Sequence, residues 1–133
     1  MSMKSWTEEG YGYKLYNNNL DKIKSFIVNS NRYSEKKKEI MEAEDELDLE
    51  IVINNPVPWE VADIINDQEN TQVFQGYQEC GDTDQEAMLG IAPQYPWADF
   101  HMTKDKADEL LKKYADILGI EEEADYFEAE YFG

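Results

Sequence analysis

The sequence predicts a small α+β domain: a mostly antiparallel sheet of four to five strands with three to four helices. Three observations lead there. The chain has 133 residues, the size of one ordinary domain and enough to bury a core without disulfides or metals. Its apolar residues follow two periods, alternation in some stretches and a 3.6-residue repeat in others. These stretches do not take turns in a regular β-α-β order, no internal repeat recurs and no flexible linker divides the chain. A single mixed domain over residues 1–133 is therefore expected, not a parallel sheet.

Taken in order, Tyr11, Tyr13 and Leu15 alternate with Gly12 and Lys14 and predict a strand, with Gly10 and Gly12 marking a bend or bulge at its start. Asn17-Asn18-Asn19 is turn chemistry, with Asn19 placed to cap a helix. Leu20, Ile23, Phe26 and Ile27 give that helix its buried side over 20–30. A second, more polar helix is expected from Ser34 to about Glu46, although its lysines lie at the N-terminal end and its acids at the C-terminal end, against the helix dipole. Leu47, Leu49, Ile51 and Ile53 alternate with Asp48, Glu50 and Val52, which is the clearest strand pattern in the chain.

Asn54-Asn55-Pro56 ends that stretch, and Pro58 opens a short helix whose apolar side is Trp59, Val61, Ala62, Ile64 and Ile65. Glu60 and Asp63 suit its positive end. Residues 71–78 and 87–92 read as two strands joined by a hairpin loop containing Cys80-Gly81-Asp82-Thr83-Asp84. Pro93, Pro96 and Trp97 mark an irregular segment. Thr103 caps the best helix, with Ala107, Leu110, Leu111, Tyr114 and Leu118 on one stripe, and Gly119 followed by Ile120 closes it. Residues 126–132 have strand composition.

Hydrophobic residues make up 41% and aromatics 13% of the chain, too many for a disordered acidic tail. Cys80 stands alone, so no internal disulfide and no oxidising compartment is implied. The opening residues lack the apolar run of a signal peptide, and no apolar stretch reaches the length of a membrane span. A cytoplasmic location is expected. Lysine outnumbers arginine eleven to one, a bias that points to an AT-rich genome.

The formal net charge is −18, unevenly spread. Residues 1–38 carry +4, residues 39–103 carry −16 without one Lys or Arg, and residues 104–133 carry −6. Such a surface repels nucleic acid and anionic membrane, and it attracts basic protein surfaces. The alternative is that acidity serves only to keep the protein soluble.

Little else resembles a catalytic or ligand site. Cys80 and His101 are the one possible thiolate–imidazole pair, but Glu79, Asp82 and Asp84 would raise the thiol pKa, the wrong direction for a nucleophile. Asp82, Asp84 and Glu86 alternate like the start of a calcium loop, yet Ala87 and Pro93 occupy the positions where that loop needs Gly and Glu. One Cys and one His do not make a zinc site, and Gly10-Tyr11-Gly12 lacks the rest of a nucleotide motif. No catalytic residue, metal or cofactor is expected.

The acids themselves are the candidate site. Glu44, Asp45, Glu46, Asp48 and Glu50 form one group, with Asp48 and Glu50 on one face of the expected strand about 6.6 Å apart. Glu79, Asp82, Asp84 and Glu86 form a second. Glu121, Glu122, Glu123, Asp125, Glu128 and Glu130 form a third, the last two alternating with Phe127, Ala129 and Tyr131. Carboxylates so spaced imitate a line of phosphates; they also serve, more plainly, to protect edge strands from pairing.

In size and character, and in the stretches Ser5-Trp6-Thr7-Glu8-Glu9-Gly10-Tyr11-Gly12 and Gln94-Tyr95-Pro96-Trp97, the chain resembles the small acidic proteins of phages and mobile elements of AT-rich Gram-positive bacteria. Some of these are anti-CRISPR proteins and other DNA mimics. The resemblance implies a non-enzymatic inhibitor or modulator whose partner is the basic surface of a nucleic-acid-binding enzyme, with no direct contact to nucleic acid or membrane. The competing expectations are a small cytosolic hydrolase built on Cys80, His101 or a carboxylate pair, and an acidic interaction domain.

Overall fold

A computed structural model describes residues 5–16, 19–78, 87–91 and 102–132, the first two and last three of these by backbone alone. It shows a small α+β domain with elements in the order β1 (Ser5–Lys14), α1 (Leu20–Asn29), α2 (Lys37–Glu42), α3 (Glu46–Ile53), α4 (Val57–Glu69), β2 (Phe74–Gln78), β3 (Ala87–Ile91), α5 (Lys104–Leu118) and β4 (Asp125–Phe132). The strands form one antiparallel sheet in the order β2-β3-β1-β4. Among the described residues there are thus four strands and five helices, one helix more than expected, because the 47–53 segment is helical.

That segment is the main correction. Alternation in Glu46–Ile53 fits a strand, but Leu49 and Ile53 also stand one helical turn apart, and they are the two residues α3 buries. The ends decide the matter. The Asp45 carboxylate accepts a hydrogen bond from Asp48 N at 2.8 Å, capping the start, and Asn54 closes the end in the left-handed conformation at φ 55°.

The expected 34–46 helix is shortened to Lys37–Glu42, and Lys36 rather than Ser34 occupies its N-cap, without a side-chain cap. Carbonyls at the end of α2 are satisfied from outside: buried Lys24 of α1 donates to Met41 O at 3.0 Å and to Ala43 O at 2.8 Å. Asn19 does precede α1, but its side chain makes no cap. Its amide instead donates to Leu15 O and Leu118 O, both at 2.8 Å, joining the ends of β1 and α5.

α5 follows its sequence pattern. Thr103 Oγ1 accepts from Lys106 N at 3.2 Å, and Gly119 at φ 72° ends the helix in a conformation that favours glycine. Tyr13 O–H donates to Leu111 O at 2.6 Å, fixing α5 over β1. α4 lies flush on β2, where a Cβ on Gly76 would come within 2.3 Å of the Pro58 carbonyl carbon. Between them, Tyr13, Leu15, Ile23, Ile27, Ile64, Leu89, Leu111 and Leu118 fill the core between helices and sheet. On the other sheet face the Tyr77 and Phe127 rings meet edge-on at 4.9 Å.

Candidate partner-binding surface

The acid-rich segment 44–50 is not a line of carboxylates. On a helix, residues two apart point about 200° from each other, so Asp48 and Glu50 do not share a face. Asp48, Glu44 and Asp45 are exposed, while Glu46 and Glu50 are half-buried. Asp45 is engaged as the α3 cap, and the Glu50 carboxylate accepts from Val57 N at 2.8 Å, bonding α3 to the start of α4.

The third acidic group lies beyond the end of α5. Glu121, Glu122 and Glu123 are exposed after α5 and line a groove of about 400 Å³ between α5 and the β1–β4 edge of the sheet. Asp108, Lys112 and Asp116 of α5 line the same groove, with Tyr11 at its floor. β4 is an edge strand, and on it Tyr126 is 63% exposed, its ring 4.8 Å from that of Tyr11. Asp125 is exposed and accepts from the Tyr126 amide at 2.8 Å. Glu128 is exposed opposite Glu9, and the backbone of Glu130 pairs opposite Thr7.

A cation of the chain itself sits beside the groove. Lys104 Nζ lies 3.1 Å from Asp108 and 5.3 Å from the centre of the Tyr11 ring, and Tyr11 O–H donates to the same Asp108 carboxylate at 2.5 Å. The hydrogen bonds from Tyr11 and Lys104 lower the Asp108 pKa, and the bond to Asp108 raises that of Tyr11. An ammonium is thus held by a carboxylate and an aromatic face together.

These groove residues escaped the sequence reading because Tyr11 and Asp108 are 97 positions apart. A signal was present on α5 alone: Lys104, Asp108, Lys112 and Asp116 recur every four residues, a charged stripe flanking the apolar one.

Sequence reasoning also missed a buried ion pair. Glu60, placed at the positive end of α4, is only 1% exposed. One oxygen accepts from Tyr33 O–H at 2.5 Å and from Asn55 Nδ2 at 3.0 Å. Arg32 Nε stands 2.7 Å from the other, an ion contact without hydrogen-bond direction. Burial and the Glu60 bond push the Tyr33 pKa up to about 12. This cluster ties the segments that follow α1 and α3 to α4.

Glu79, Asp82, Asp84, Glu86, Cys80 and His101 lie outside the described residues. Among the described residues no three His, Cys, Asp or Glu are grouped to hold a metal ion, and no helix is long and apolar enough to cross a membrane.

The fold and groove define a small α+β domain with an acidic, aromatic-floored cleft at one sheet edge. No protein-family model, curated protein or solved structure matches the sequence.

Proposed function

We propose that the protein is a non-enzymatic acidic inhibitor or modulator that binds the basic, nucleic-acid-contacting surface of a protein partner, as phage-encoded anti-CRISPR proteins and other DNA mimics do. One observation carries this reading: α5 and the turn after it set Asp108, Asp116 and Glu121–Glu123 along one groove, floored by the buried Tyr11, whose ring the exposed Tyr126 adjoins. Acids needed only for solubility have no reason to share a groove with an aromatic floor. Against these five carboxylates stand two lysines, Lys112 in the lining and Lys104 paired with Asp108, so the cleft favours cationic guests. Tyr126, exposed and backed by Tyr11, supplies the kind of aromatic anchor on which interface energy concentrates. The Lys104–Asp108–Tyr11 arrangement is the chain's own example of the contact that a partner's lysine or arginine makes. Pairing opposite charges and releasing counterions favour binding against the cost of desolvating the charges, and salt weakens it.

The test is affinity capture from a bacterial lysate with the parent protein and with Asp116→Lys/Glu122→Lys, at low and high salt. The captured enzyme is then assayed for nucleic-acid binding with and without the protein. Capture of a nucleic-acid-binding enzyme is expected, with inhibition relieved by salt and by excess DNA duplex. The charge-reversed variant, folded by circular dichroism, is expected to lose at least about tenfold in affinity. Unaltered capture and inhibition by that variant would refute the reading.

A further inference from the structure

α3 is apolar on two opposite sides. Leu49 and Ile53 are buried, whereas Leu47 and Ile51, one turn apart on the other side, are 65% and 69% exposed. The apolar stripe of a helix normally faces a packed neighbour, and among the described residues α3 is covered on one side only. α2 and α4 pack against it, and each adds an exposed apolar side chain, Met41 at 45% and Trp59 at 51%.

At about 100° per residue, Asp48 flanks the Leu47–Ile51 stripe on one side and Glu50 on the other. Glu44 and Asp45 stand just before it. Lys36 reaches the far end, where its Nζ donates to Val52 O at 3.0 Å. The ridge is therefore acidic at the N-terminal end of α3 and carries its nearest cation at the C-terminal end.

We propose that the Leu47–Ile51 ridge receives a basic amphipathic helix of a partner protein. The guest's apolar stripe lies on Leu47 and Ile51, and its lysines or arginines face Glu44, Asp45 and Asp48. Charge chooses this occupant. A second copy would set the same acids against each other on chains of net charge −18, and an anionic membrane is repelled by the same field. A cationic helix meets both requirements, apolar contact and opposite charge, in the helix-in-groove manner. The ridge is separate from the groove beside α5, and this inference does not rest on that groove's function.

The experiment titrates the full chain with two synthetic Leu/Lys peptides of about eighteen residues, long enough for a helix. One places its leucines on a single helical stripe; the other is a scramble of the same composition and charge. Binding is measured by calorimetry at about 150 mM salt, where distant charges are screened, and mapped by amide chemical shifts. The patterned peptide is expected to bind at least about tenfold tighter than the scramble, and Leu47→Ser/Ile51→Ser to remove that advantage. In the parent protein the shifts are expected at residues 44–52, which locates the site independently of any variant. Asp116→Lys/Glu122→Lys leaves the ratio between peptides unchanged. The proposal is overturned by equal binding of the two peptides, by no binding, by full binding to the serine variant, or by shifts confined to the α5 groove. A concentration-dependent dimer abolished by the serine variant would also overturn it, in favour of a second copy.

Discussion

Two carboxylates of α4 have opposite relations to the fold. Asp63 has Glu60 one turn before it and Asp67 one turn after, while Arg32 is ion-paired with those two at 2.7 Å each. Burial, and then the Glu60 charge, raise the Asp63 pKa. At the other end Glu69 accepts from Lys113 at 2.7 Å and from Tyr114 O–H at 2.5 Å, and these bonds lower its pKa. The stability consequences follow in sign. Ionised Asp63 opposes folding at neutral pH, and that opposition fades as pH falls through its raised folded value toward the unfolded value of about 3.9. Glu69 supports folding above its unfolded value of about 4.3, and its support is lost as pH falls through the lowered folded value. Asp63→Asn is therefore expected to raise the urea midpoint at pH 7, and Glu69→Gln to lower it by an amount worth about 1 kcal/mol or less, since Lys113 is 54% exposed. Both differences are expected to shrink toward pH 3. Urea titrations at the two pH values check this, and changes of the same sign in both variants would contradict it.

At the scale of elements, α3 and α5 show what was legible. α5 was legible because its cap, apolar stripe and terminal glycine agree: Thr103, Ala107 through Leu118, and Gly119 all point to one helix. In α3 the sequence pattern fits two structures, and the difference lies in which residues are buried. A strand would put Leu47, Leu49, Ile51 and Ile53 on one face, whereas the helix buries only Leu49 and Ile53. What settled it was end chemistry, the Asp45 cap and the left-handed Asn54, which compete poorly with a strong alternation when read along the chain. Substitution separates the alternatives. Leu49 is fully buried, so Leu49→Ala is expected to cost about 2–5 kcal/mol. Leu47→Ala, at a 65% exposed site, is expected to stay within about 0.5 kcal/mol. Similar large losses from both, in chemical denaturation, would favour the strand. For the candidate site, the acids after α5 were legible as a charge run. Their placement beside Tyr11 was not, because it depends on β1 pairing with β4 and on α5 crossing β1, contacts between residues about a hundred positions apart.

Over the whole molecule, the question is whether a net charge of −18 is merely carried or also used. Self-repulsion at that charge opposes the compact state. It is sharpest where acids gather without cations, and Glu121–Glu123 follow directly on the C-terminal end of α5, where the helix dipole is itself negative. These residues are thus expected to destabilise the free protein. Glu121→Gln/Glu122→Gln/Glu123→Gln should raise the melting temperature by a few degrees at low salt, on the scale of about 1 kcal/mol. Added salt should stabilise the parent more than the triple variant, because screening relieves in the parent what substitution has already removed. If the acids serve a basic partner, the same variant should bind that partner at least about tenfold more weakly, so that stability and binding move in opposite directions. Thermal melts across a salt series, paired with affinity measurements on the captured partner, check both halves. A stabilised variant that binds as well as the parent would mean that this charge serves solubility alone. A variant that melts at or below the parent temperature would mean that the repulsion is already balanced within the fold.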